Sequence, residues 1–110
     1  MKFDETYDLV ASGKKTQTTR VPVHRWYPWY KDYPLYGKTV LVESPDGRMC
    51  RIRLKDVFVT TLDWVIVQPE SIKAEGFEEV SGFIDVWKRL HGQLDTAMPV
   101  CVIRFELVRA

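Results

Sequence analysis

Apolar positions three and four residues apart open the chain. Phe3, Tyr7, Val10 and Ala11 fall on one helical face, with Asp4 and Glu5 suited to the start and Gly13 to the stop. That spacing predicts a short helix over 4–12. Residues 15–20 carry Thr16, Thr18 and Thr19 and read as an extended segment, which Pro22 breaks. Residues 38–44 alternate, with Val40 and Val42 on one face, and Pro45-Asp46-Gly47 reads as a turn. From Arg48 to Thr61 the alternation runs long. Cys50, Ile52 and Leu54 share a face, then Val57 and Val59 share it after a slip of one residue, while Arg51, Arg53 and Lys55 point away. The slip predicts a bulge near Asp56. Residues 63–67 are expected to continue the sheet. Residues 69–79 read as a short helix or turn around Ala74-Glu75-Gly76-Phe77.

Phe83, Ile84, Trp87 and Leu90 mark the clearest helix, over 81–91, with Ser81 as N-cap and Gly92 as stop. Trp87 lies on its apolar face and is assigned to the core. The closing run over 99–109 alternates Val100, Val102 and Phe105 within a nearly continuous apolar stretch. Four to six strands and two or three helices, without regular βαβ alternation, predict a small curved sheet closing towards a barrel with helices on its openings.

One stretch fits none of these periods. Between Val21 and Gly37, Trp26, Tyr27, Trp29, Tyr30, Tyr33 and Tyr36 place six aromatics in eleven residues, punctuated by Pro28 and Pro34. A loop of this length in a small domain is commonly functional, and its aromatic content argues against disorder.

Composition adds bounds. A chain of 110 residues, 45% hydrophobic and 28% charged, makes one domain. Its net charge of +1 favours no class of partner. The distribution is uneven: residues 1–39 carry +3 and residues 63–95 carry −4, so the first third can supply a cationic surface. No apolar run approaches the roughly 20 residues that span a bilayer. The N-terminus turns acidic at once, without an apolar signal segment, so a cytoplasmic location and no membrane partner are expected. Cys50 and Cys101 sit in separate apolar runs and read as reduced thiols. His24, Cys50, His91 and Cys101 are too scattered for zinc, so neither a metal nor another cofactor is expected.

Three features could carry chemistry. In Gly13-Lys14-Lys15-Thr16-Gln17-Thr18-Thr19-Arg20, a glycine, two lysines, three hydroxyls and an arginine lie within eight residues. Such a run can hold an anion or a polar base, and a lysine of lowered pKa can serve a neighbouring hydroxyl nucleophile. A solvated, Thr-rich edge strand has the same composition. Glu75 can pair with Lys15 or Arg20, or act as a general acid or base; a surface carboxylate would look the same in isolation. The aromatic loop and the Arg51, Arg53 and Lys55 stripe meet the needs of single-stranded nucleic-acid binding. A loop folded over the domain to extend its core meets the same pattern.

The stretch from Gly13 to Arg20 after a short helix resembles the signature of ASCH domains, of the PUA-like superfamily. Leu62-Asp63, Ala74-Glu75-Gly76-Phe77, Phe83…Trp87…His91-Gly92 and Val102-Ile103-Arg104-Phe105-Glu106-Leu107 follow in the family's order. The resemblance implies an α+β fold, a PUA-like small β-barrel of mixed strands with two or three flanking helices. It also implies a cleft beside the Gly-Lys-Lys-Thr segment and an RNA- or nucleoside-related role. Some small members hydrolyse the acetyl amide of N(4)-acetylcytidine with a lysine and a threonine of this motif and a later glutamate. By motif position these become Lys15, Thr18 and Glu75, with Arg20 binding substrate or holding the motif. Other members are implied to bind or cleave RNA. A non-catalytic RNA module would use Lys14, Lys15, Arg20 and Arg25 on phosphate and Trp26, Trp29 or Tyr30 on bases. Thr16 joins Lys14 and Arg20 as a candidate substrate contact. The aromatic insertion departs from the shortest amidohydrolase members and could lid a nucleoside pocket, extend it for RNA, or block it. One geometric condition applies. Lys15 and Thr18 are three apart, so they converge only if the chain bends near Thr16.

Overall fold

The computed structural model describes residues 2, 3, 5–21 and 37–109. The aromatic loop, with Arg25, Trp26, Trp29 and Tyr30, lies outside the described residues.

The predicted opening helix is α1, Tyr7–Ala11. Four strands follow the expected segments: β1 Gln17–Arg20, β2 Thr39–Glu43, β3 Met49–Thr61 and β4 Pro99–Leu107. They form one curled antiparallel half-barrel in the order β1-β4-β3-β2. A parallel bridge, Lys2 to Glu43, adds the N-terminal segment to the β2 edge. The slip in β3 is a register shift between Leu54 and Asp56: Leu54 stands opposite Phe105, and Asp56 opposite Arg104. That one extra residue keeps Ile52 and Leu54, then Val57 and Val59, on the inner side.

The apolar run of β4 has a structural cause. Cys101, Ile103 and Phe105 face one core cluster, with Phe3, Tyr7, Val10, Val42, Ile52 and Leu54. Val100 and Val102 face a second, with Leu62, Val65, Ile72, Phe83 and Trp87. A strand covered on both faces has few places for polar side chains.

Residues 63–67 do not continue the sheet. Residues 63–66 belong to α2, Leu62–Ile66, and Val67 is its C-cap. The Thr61 side chain caps it by accepting from the Trp64 N–H at 3.4 Å. Leu62 and Val65, three apart, are buried, and the Leu62 and Asp63 N–H groups donate to the Met98 and Thr96 carbonyls. Cap and burial at helical spacing override the β-branched composition. Two further helices follow: α3, Pro69–Ala74, with proline in its first turn, and α4, Val80–His91, ended by Gly92 in the left-handed region at φ 79°. The N-cap of α4 is Glu79, in extended conformation; Ser81 sits inside the first turn. Phe83 and Trp87 are buried as expected, but Leu90 is 57% exposed because a cavity, not core, lies beside it. Among the described residues, no helix is long and apolar enough to cross a membrane.

Candidate functional site

The site begins with how α3 ends. Gly76 takes φ +100°, and its N–H donates to Lys73 O while the Phe77 N–H donates to Ile72 O, a Schellman closure. This closure leaves the carbonyls of Ala74 and Glu75 at the helix end in need of donors. The segment before β1 supplies both. The Thr16 N–H donates to Ala74 O at 2.7 Å, and Lys15 Nζ donates to Glu75 O at 2.9 Å.

Thr16 is also where the chain enters the sheet: its carbonyl accepts from the Phe105 N–H at 2.9 Å. Lys15 therefore precedes the strand and is free of its alternation, so Lys15 and Thr18 both line one cavity.

Glu75 is 2% exposed and surrounded by donors. Lys15 Nζ lies 3.3 Å from its Oε1, Gln17 Nε2 donates to Oε2 at 2.9 Å and Thr19 Oγ1 donates to Oε2 at 2.8 Å. Gln17 and Thr19, two apart in β1, share a face, and Lys15 reaches the same carboxylate from ahead of the strand. Burial pushes the Lys15 ammonium below its ordinary value, with Arg20 adding to the effect and Glu75 opposing it.

Arg20 Nε donates to Thr18 Oγ1 at 3.3 Å, its Nη2 donates to Lys2 O at 2.9 Å, and its guanidinium lies 4.6 Å from the centroid of the Phe3 ring. Across the cavity, α4 presents Phe83, Trp87 and His91 one turn apart. Phe83 and Trp87 stack with centroids 5.9 Å apart, and Trp87 and His91 lie 4.2 Å apart. Burial and Arg20 hold His91 below its usual imidazole range. The indole Nε1 of Trp87 is buried without a hydrogen-bond partner among the described residues.

These groups enclose a cavity of about 280 Å³, lined by Lys15, Thr18, Thr19, Arg20 and Glu75 on one side and Phe3, Phe83, Trp87 and His91 on the other. Of the candidates named from sequence, Lys15, Thr18, Arg20 and Glu75 meet here. Lys14 is exposed and Thr16 half-buried, and neither belongs to the lining. Sequence reasoning missed Gln17 and Thr19 as partners of Glu75, although their two-residue spacing within the extended segment was a usable signal. It also missed Arg104, whose Nε donates to Gln17 Oε1 at 3.2 Å. No group of three or more His, Cys, Asp or Glu among the described residues could hold a metal ion.

Comparison with known proteins fits this picture. A family model described as ASCH domain matches residues 1–109. The solved ASCH domain from Lactobacillus crispatus JV V101 aligns at TM-score 0.63 and 17% identity, over 91% of this chain and 68% of that one. Protein EF3133 from Enterococcus faecalis V583 aligns at TM-score 0.66 and 21% identity, over 92% of this chain and 65% of that one. Hypothetical protein PH0355 aligns at TM-score 0.63 and 17% identity, over 98% of this chain and all of that one. At such identities the likeness is one of fold. No curated protein matches the chain.

Proposed function

The chain belongs to the ASCH domain family, whose PUA-like fold is often linked to RNA binding, and on that basis we propose that its cleft takes a modified nucleoside or RNA base and hydrolyses the acetyl amide of N(4)-acetylcytidine. The observation that carries this reading is the buried Lys15–Glu75 pair on a small cavity that Thr18 also lines. The cavity sits near the low end of ligand pockets, which begin at roughly 300 Å³. That suits one nucleoside better than a length of polymer.

The chemistry follows from the environment of each group. Lys15, depressed by burial, takes the Thr18 Oγ1 proton in its neutral form. The Arg20 N–H on Oγ1 favours the developing alkoxide. Thr18 Oγ1 forms a bond to the acetyl carbon, and the carbonyl electrons move to oxygen beside the Arg20 guanidinium. The intermediate collapses by breaking the bond to the exocyclic nitrogen. The proton reaches that nitrogen from Lys15 through Glu75 Oε1, 3.3 Å from Nζ. Water then cleaves the threonyl ester, releasing acetate and restoring Thr18. The rings of Phe83, Trp87 and His91 give the pyrimidine an aromatic wall.

The test is direct assay of cytidine release from N(4)-acetylcytidine by the purified protein. Wild type turns over, and Lys15→Met, Thr18→Val and Glu75→Gln each lose about 10²-fold or more, the usual scale for an acid–base group. No turnover of that nucleoside or of related acylated cytidines overturns the enzyme reading. Salt-sensitive RNA binding without turnover would assign the cleft to recognition instead.

A further inference from the structure

We propose that Arg104 is a positioning residue for the Glu75 carboxylate and acts on it through the Gln17 side chain. The inference rests on the reading that Glu75 works in the cleft. Gln17 and Arg104 are direct cross-strand partners in the β1–β4 ladder. Arg104 Nε donates to Gln17 Oε1 at 3.2 Å, and Gln17 Nε2 donates to Glu75 Oε2 at 2.9 Å.

The chemistry of these groups permits one orientation of the amide. A guanidinium only donates, a carboxylate only accepts, and a carboxamide has one end of each kind. With its oxygen towards Arg104 and its nitrogen towards Glu75, both neighbours are satisfied. Turned over, the amide oxygen would face the carboxylate and its NH₂ group the guanidinium. Gln17 is fully buried, so water cannot repair that mismatch.

Arg104 is itself held. Its guanidinium lies 5.1 Å from the Phe58 ring centroid and 6.0 Å from that of Trp64, and those two rings meet edge to face at 5.4 Å. The order therefore passes from an aromatic clamp on β3 and α2 to Arg104, to Gln17 and then to Glu75. With Oε2 taken by Gln17 and Thr19, Oε1 is left to Lys15. Arg104 does not line the cavity.

The charged groups around position 17 are Glu75 at the end of α3, Lys15 ahead of β1 and Arg104 on β4, with Asp56 of β3 opposite Arg104 in register. Two measurements without substrate test the relay. The first compares Gln17→Glu with Gln17→Glu/Arg104→Met by urea unfolding between about pH 4 and 8. The carboxyl introduced at position 17 faces Glu75, so the folded pair keeps a proton that the unfolded chain has already released, and stability falls as pH rises until the folded pair loses it. Arg104 favours the ionised form, so its removal moves the end of that fall to higher pH by about one unit or more. An Arg104 that merely packs on Phe58 and Trp64 would lower stability at every pH and leave the pH of the fall in place, which overturns the proposal.

The second measurement keeps Gln17 and follows hydrogen exchange of its side-chain amide by NMR. Exchange speeds up about tenfold or more in Arg104→Met while β1–β4 backbone amides stay protected, and Arg104→Lys restores part of the protection. Unchanged protection in Arg104→Met also overturns the proposal. If the chain fails to hydrolyse acetylcytidine, both readouts still stand. If they fail while turnover is intact, Arg104 loses its role and the cleft keeps its own.

Discussion

Lys15 Nζ meets Glu75 twice, at the backbone carbonyl oxygen at 2.9 Å and at carboxylate Oε1 at 3.3 Å. One side chain thereby closes a helix end and neutralises a buried charge. The two residues are 60 positions apart, so this contact ties the start of β1 to the end of α3.

Breaking one side of that pair should be costly. Lys15→Met or Glu75→Gln is expected to lower unfolding stability by about 3–5 kcal/mol, because each strands a buried partner. The double variant Lys15→Met/Glu75→Gln should lose clearly less than the sum. Urea unfolding of the four proteins measures the coupling, and additive losses would contradict it.

Lys15 also gives stability a pH dependence. Its pKa is depressed from 10.5 in the folded protein, so the unfolded chain binds more protons between the folded value and 10.5. Stability from this group therefore grows as pH rises through that window and is lost as pH falls. The stability advantage of wild type over Lys15→Met should widen on the alkaline side. A gap that narrows there would show that Lys15 is not depressed.

Gly76 and Gly92 share positive φ but differ in surroundings. A Cβ on Gly76 would lie 2.8 Å from Leu9 Cδ1 and 3.4 Å from Lys15 Cβ, whereas at Gly92 no described atom beyond its own stretch of chain lies within 4 Å. Gly92→Ala should cost about 1 kcal/mol of backbone strain, and Gly76→Ala more, roughly 2–3 kcal/mol, as Leu9 and Lys15 give way. Thermal unfolding of both variants checks the order.

The two thiols should separate by reactivity. Burial pushes Cys101 up to about 11, while Cys50 is half-buried. A thiol reagent near neutral pH should label Cys50 first and reach Cys101 only on unfolding. Mass mapping of partly labelled protein reads this; equal rates would contradict it.

Trp87 offers an unusual exchange. Among the described residues its buried Nε1 has no hydrogen-bond partner, so Trp87→Phe loses no hydrogen bond to them and removes a donor they leave unsatisfied. That gain opposes the void left by the smaller ring, so the net change should stay within about 1 kcal/mol by urea unfolding. A loss above about 3 kcal/mol would mean that the void dominates.

Period-two alternation gave away β2, β3 and β4 and even the bulge, because burying one side leaves a one-residue slip visible, whereas β1 was legible from its threonines. The helix after β3 was hidden: Val65, Ile66 and Val67 look like strand residues, and what bends them is the Thr61 cap and two N–H groups reaching the 96–98 segment. Lys15 and Glu75 could be named from the motif, but no local pattern reveals that Gln17 joins them to Arg104. That link depends on cross-strand register, which pairs residues 87 apart.

Thr16 gives its N–H to the last carbonyl of α3 and its carbonyl to the sheet at Phe105. A rivet of this kind holds the base of the pocket to both layers at once. Any widening for a larger guest is expected at the rim, where the exposed Lys2, Glu5, Leu90 and His91 stand, while Lys15 and Glu75 keep their depth.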